Sequence, residues 1–218
     1  MTVLTVICMG TARADVTKVT YATYTNGGYQ LLHEPVRSSA ELLLSDNVYE
    51  VQQDTSTMSF RVDTPLGDVW ASFDEFDGRF TMTDADLSDK LASVEVNTAS
   101  LETGAGLVGM LLRGEKFFDV ENFPAIRFVG HSLEWYKEKH AVLKGELTIK
   151  NVTTQVAFYL KVIDADTDGA FSERITVEAS TTIRRTEFGI FSLLPAVSDN
   201  VNLFMTIDAV KTSALSMK

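Results

Sequence analysis

Gly104-Ala105-Gly106-Leu107-Val108-Gly109 satisfies the GxGxxG pattern in which backbone amides at a helix start meet a pyrophosphate. That chemistry needs a βαβ setting, and the surrounding chain is nearly all strand, so the glycines read instead as a bend around the end of a β-structure. Asp164-Ala165-Asp166-Thr167-Asp168-Gly169 matches the first half of an EF-hand calcium loop. The bidentate acid required at its twelfth position falls on Ile175, and Glu173 comes too early, which leaves an acidic, solvated hairpin. His33, His131 and His140 are the only histidines, and no two share a metal-pair spacing. The chain has neither a nucleophile elbow nor an HExxH motif, and its carboxylates gather at turns and on polar strand faces, so neither a catalytic group nor a metal site is expected.

Two cationic positions are left. Arg113 closes a short helical run, and Arg184-Arg185 precede Phe188-Gly189. Each can pair with a nearby carboxylate such as Asp119 or Glu187. Alternatively, Arg113 or Arg185 stands at a cavity mouth and holds the polar head of an otherwise apolar ligand.

The elements that would position such groups are strands. Met58, Phe60 and Val62 share one face, with Thr57, Ser59 and Arg61 on the other. The same period of two recurs through Val69 to Phe73, Gly78 to Met82, Val94 to Val96, Leu143 to Ile149, Val156 to Val162, Ile175 to Ile183 and Val201 to Val210. Eight or more strands with one apolar face need closure, and a barrel of about eight either fills its interior or holds one small ligand. One stretch breaks the pattern: from Ser100 to Phe128, Leu107, Met110, Leu111 and Leu112 take helical spacing, Phe117-Phe118 follow, and Pro124 ends the detour. This short helical insertion, near residues 104–118, must lie across the face or mouth of the β-structure. The phenylalanines and leucines suit a dry core and a cavity wall equally well.

The 19 basic and 30 acidic residues give a net charge of −11, which repels phosphate backbones and argues against nucleic acid as a partner. The apolar run Val3 to Met9 followed by Ala12-Arg13-Ala14 suits a signal peptide over residues 1–14, although a basic start is missing. Export to the periplasm or medium is the expectation. Ile7 before Cys8 does not suit lipid attachment, and cleavage would leave a mature chain without cysteine. No later stretch reaches the ~20 apolar residues of a membrane-spanning helix. Residues 15–46 read as an N-terminal extension, in which Asn26-Gly27-Gly28 can join strands Thr20 to Thr25 and Tyr29 to His33. The barrel then occupies residues 47–218.

Four segments in register carry a family resemblance: TASLETG from Thr98, LLRGEKFFDVENFPAIRF from Leu111, GELTIKNVTTQVAF from Gly145 and RRTEFG from Arg184. Across roughly Tyr49 to Val210 the chain resembles the YceI-like family of lipocalin-like, isoprenoid-binding proteins. The resemblance implies an exported, closed antiparallel barrel that takes up a long isoprenoid or isoprenoid quinone in an apolar tunnel. It departs from the family at VDTPLGDVW, which lacks a frequent histidine, and at Asn151-Val152-Thr153-Thr154-Gln155, where Gly-Val-Thr-Lys-Pro is usual. The expected lining is Phe60, Phe73, Phe80, Leu107, Met110, Leu111, Phe117, Phe128, Phe158 and Phe188, with Arg113 and Arg185 at the head group. No cofactor other than this ligand, no catalytic residue and no stable membrane insertion are expected, and a homodimer is left open. Two alternatives remain: a small-molecule enzyme, which would need at least one inward acid, base or nucleophile with a perturbed pKa and would be favoured by a buried carboxylate beside Arg113 or Arg185, and a filled structural or adhesion barrel with no void larger than a few waters.

Overall fold

The computed structural model describes residues 22–25, 28–31, 48–81, 91–165 and 173–212. The expected signal peptide with Cys8, His33, and Asp166 to Gly169 of the acidic loop lie outside the described residues. The chain divides into two units, Met1–Leu43 and Leu44–Lys218. In the first, β1 (Ala22–Thr25) and β2 (Gly28–Leu31) form an antiparallel hairpin with Thr25 opposite Gly28, across the Asn-Gly turn signal.

The second unit carries β3 (Val48–Val51), β4 (Thr57–Val62), β5 (Val69–Phe73), β6 (Phe76–Thr81), β7 (Ala92–Asn97), β8 (Leu101–Thr103), helix α1 (Gly106–Arg113), β9 (Ala125–Lys137), β10 (His140–Ile149), β11 (Val152–Ala165), β12 (Arg174–Arg184) and β13 (Asn200–Lys211). All pairings are antiparallel. β3 pairs with β6 and β4 with β5, while β6 pairs with β7 and β5 with β8, so β3–β4, β5–β6 and β7–β8 are three strands, each broken by a short jog. With β9 to β13 they make an eight-stranded up-and-down barrel, closed where β13 pairs with β12 on one side and with β3 and β4 on the other. The period of two places Met58, Phe60 and Val62 inside.

A jog frees backbone groups that must find new partners. Polar side chains supply them at all three breaks. At the first, the Ser56 hydroxyl accepts from the Asp208 N–H at 2.9 Å and lies 3.2 Å from the Asp208 carbonyl. At the second, the Phe76 N–H donates to the Gln53 side chain and the Glu75 N–H to Ser100 Oγ. At the third, the Ala99 N–H donates to Asn97 Oδ1, and the Thr98 hydroxyl donates to the Phe123 carbonyl at 2.7 Å. Thr98, Ser56 and Asp208 are buried because each completes this line of breaks.

The third jog has a further consequence for the barrel wall. Among the described residues β7 pairs with β9 but β8 pairs only with β5, so the wall opens between β8 and β9. Residues 104–124 return across this opening. Eight residues are too few for a helix stable by itself, and α1 is tied down by Arg113, whose guanidinium donates to the Leu101 carbonyl and pairs with Glu102, both on β8. Gly109 is buried against that strand, where a Cβ would lie 3.3 Å from Thr103 Oγ1. The last glycine of the GxGxxG pattern therefore serves close packing rather than phosphate binding. Phe118 then enters the barrel and meets Phe60 and Phe73 edge-on, with ring centroids 5.8 and 5.7 Å apart.

Candidate functional site

The inward faces of the strands do not meet in the middle. They enclose a cavity of about 610 Å³ that runs from the β4–β5 turn, α1 and residues 190–197 at one end to Thr81, Leu133 and Val177 at the other. This is within the ~300–1,000 Å³ of small-molecule pockets and far beyond the few waters of a filled barrel. Among the described residues its lining holds four polar residues, Ser59, Thr64, Thr81 and Arg185, and no carboxylate. Such a wall cannot hold ordered water, which needs two to four polar partners. It suits hydrocarbon.

Aromatic rings shape the interior. Phe60 and Phe73 on β4 and β5 lie 5.9 Å apart, Phe128 on β9 meets Phe158 on β11 edge-on at 5.0 Å, and Phe80 on β6 stacks on the buried Tyr49 at 5.5 Å. Phe117 and Phe188 are buried at the same wall, and all seven expected phenylalanines contact the cavity. Leu111 also reaches it, from the mouth.

Three of the expected site residues lie outside the cavity lining. Leu107 and Met110 point away from the cavity and are exposed, because α1 turns Val108, Leu111 and Leu112 inward instead. Helical spacing in the sequence identified the helix, but with apolar residues on both faces it could not identify the inner one. Arg113 is the third: its partners on β8 hold it outside the lining, in the ion-pair reading but with Glu102 in place of Asp119.

Arg185 does border the cavity, yet its guanidinium is committed. Nε donates to the Ser198 carbonyl at 2.8 Å, Nη1 to the carbonyls of Ile190 and Ser192 at 3.0 and 2.7 Å, and Nη2 to that of Val197 at 3.0 Å. Burial pulls its pKa below the ordinary arginine value, with Asp199 acting in the opposite direction. Arg185 thus holds the loop 190–198 in place at the mouth, and the neighbouring Arg184 takes the ion pair with Glu187. Sequence reasoning also missed Val94, Val96, Leu147 and Ile149, whose alternation was visible, and Leu193 and Val197, which carry no periodic signal because they lie in that loop. Among the described residues no cluster of metal-binding side chains occurs, and no helix is long and apolar enough to cross a membrane.

A closed eight-stranded antiparallel barrel around an elongated apolar cavity, with a short helix at its mouth, defines a lipocalin-like protein. The YceI-like domain model matches residues 49–209, which spans all of the barrel strands except the ends of β3 and β13, and the chain belongs to that family. A UPF0312 protein of Serratia proteamaculans is 30% identical over 176 residues, covering 80% of this chain and 91% of the relative. Among solved structures, Burkholderia cenocepacia BcnA superimposes with a TM-score of 0.64 at 20% identity, covering 73% of this chain and 99% of BcnA. A polyisoprenoid binding domain from Saccharophagus degradans, implicated in plant cell wall breakdown, does so with a TM-score of 0.58 at 14% identity, covering 75% and 98%.

Proposed function

We propose that this protein binds one long apolar molecule of the isoprenoid or isoprenoid-quinone class in the barrel, as a carrier or store outside the cytoplasm. The observation that carries the reading is the cavity of about 610 Å³ whose described lining is hydrocarbon apart from three hydroxyl residues and the Arg185 side chain. Each methylene moved from water into such a site contributes about 0.8 kcal/mol. Several isoprene units offset the roughly 4–15 kcal/mol lost on association without a strong polar contact. The description of the Saccharophagus domain as polyisoprenoid binding agrees with this chemistry. An enzyme reading would draw support from a carboxylate at the cavity beside an arginine, whereas Arg185 holds carbonyls and Arg113 pairs outside with an exposed Glu102. Because Arg113 does not border the cavity, the ligand's head group is placed by the mouth loops, not by this residue.

The test is mass spectrometry of an organic extract of the protein purified from its own host, followed by reloading of the delipidated protein with a prenyl chain. A lipid or quinone at near-stoichiometric occupancy, or saturable uptake of the added chain, is the expected result. An extract free of apolar molecules together with no uptake would overturn the reading.

A further inference from the structure

The mouth of the cavity is bordered by apolar side chains that face solvent. Leu66 at the β4–β5 turn is fully exposed, Leu107 and Met110 on α1 are 80% and 67% exposed, and Phe191 and Leu193 on the loop after β12 are 63% and 53% exposed. These come from three segments remote in sequence, yet the structure joins them. Leu66, Leu111 and Leu193 line the same cavity, Ser198 N–H donates to the Asp63 carbonyl beside the turn, and the Ser192 hydroxyl donates to the Lys116 carbonyl just after α1. Single exposed leucines are ordinary, but a ring of them at one opening is not.

The local chemistry holds these residues out. Thr64 Oγ1 donates to the Gly67 carbonyl and accepts from the Leu66 N–H, and Gly67 takes a φ of 110° that an L side chain rarely adopts, so the turn presents Leu66 outward. α1, GLVGMLLR, has no polar side chain before Arg113, so its outward face is as apolar as its inward one. Leu193 has a φ of 63°, an uncommon conformation for leucine, in the loop that Arg185 clamps.

We propose that this rim docks on the surface of a lipid bilayer, with Leu66, Leu107, Met110 and Phe191 entering the interface around the open mouth. A protein interface surrounds its apolar centre with hydrogen-bonding groups, which the outward face of α1 does not supply. A partner protein or second copy seated here would also seal the cavity, whereas a bilayer offers the mouth a continuous apolar phase. An interfacial element with such side chains enters the headgroup boundary by about 5–10 Å. The chain's net charge of −11 makes uncharged lipid the preferred surface and apolar contact, not charge, the source of binding. The further step, passage of the ligand between bilayer and cavity without crossing water, rests on the proposed function; docking itself does not.

The experiment is flotation of the full chain with phosphatidylcholine vesicles and with vesicles containing phosphatidylglycerol, alongside the variant Leu107→Ser/Met110→Ser/Phe191→Ser, whose altered positions lie outside the cavity lining. Wild type should float with phosphatidylcholine at low and high salt and less well with the anionic vesicles at low salt. The triple variant should lose vesicle partitioning by on the order of tenfold or more, since three apolar side chains no longer enter lipid. Its uptake of a water-soluble fluorescent prenyl probe without vesicles should be unchanged. Failure of wild type to float, equal flotation of the variant, or a dimer in sedimentation that the variant abolishes would each overturn docking and leave the cavity reading intact. Rim-dependent flotation with no uptake of the probe would support docking and count against the cavity reading alone.

Discussion

Arg185 shows how a buried charge can be retained without a buried carboxylate. Its guanidinium donates to four main-chain carbonyls within 13 residues of sequence, giving the mouth loop the acceptor satisfaction that a strand would obtain from its ladder. Replacing it with methionine keeps much of the volume and strands those carbonyls, and we expect a loss of about 3 kcal/mol or more in urea unfolding. Arg185→Lys should recover only part of this, because an ammonium has three donors and no planar fork. Asp208 makes a different kind of commitment. The hydrogen bond from Arg174 holds its carboxyl below the ordinary value, against the opposing effect of burial and with help from the Thr55 hydroxyl at 2.5 Å. A carboxyl whose folded pKa is depressed contributes stability that is full above its unfolded pKa, about 4, and is lost as pH falls towards the folded value. Urea midpoints taken through about pH 5 to 3 should therefore fall for wild type, and the slope should be shallower for Asp208→Asn at these same pH values. An unchanged slope would mean that other groups dominate acid unfolding.

At the scale of elements, the paired strands β9 and β10 shift register where Gly130 faces Gly145, an irregularity of the kind that bends a strand. A Cβ on Gly145 would sit 2.2 Å from the Val129 carbonyl oxygen and 2.8 Å from Phe128 Cζ, so the ring that packs over this glycine occupies the space a side chain would need. Gly145→Ala should cost about 3 kcal/mol, at the upper end of overpacking effects, and should disturb the Phe128–Phe158 pair. Thermal unfolding checks the first effect and near-ultraviolet circular dichroism the second. A fully stable variant would show that β10 can shift its register without loss. The jogs in the neighbouring strands work by another device, side chains that stand in for missing ladder partners.

For the whole molecule, ligand and fold are linked through the cavity. A ligand at about a hundred times its Kd adds about 2.7 kcal/mol to the folded state, which at this chain length raises Tm by several degrees. Ala179 on β12 is buried and faces the middle of the cavity. Ala179→Trp should fill that space, leave the barrel folded and remove the ligand-dependent rise in Tm expected for wild type, as checked by calorimetry with and without a prenyl chain. If the variant keeps the full shift, the apolar molecule lies somewhere other than the barrel interior.

Much of this was written in local pattern. A period of two survives in a single sequence because each strand has one face in hydrocarbon and one in water, so Met58-Phe60-Val62 and Phe158-Leu160 declared their inward faces without any knowledge of their neighbours. Closure followed from the number of such strands. The Asn-Gly turn signal and the interruption from Ser100 to Phe128 were equally local. What the sequence could not determine depended on contacts between distant segments. The inward face of α1 is chosen by Arg113 reaching β8 and by Gly109 packing there, which left Leu107 and Met110 outside. The role of Arg185 depends on a loop that returns 5 to 13 residues later to present its carbonyls. Whether the barrel would be solid or hollow was undecided by composition, since phenylalanine and leucine fill a core and line a cavity with the same hydrophobic gain. Tertiary structure decided it, because the width of a closed barrel follows from its strand number and stagger, and here eight strands enclose about 610 Å³ more than their inward side chains fill.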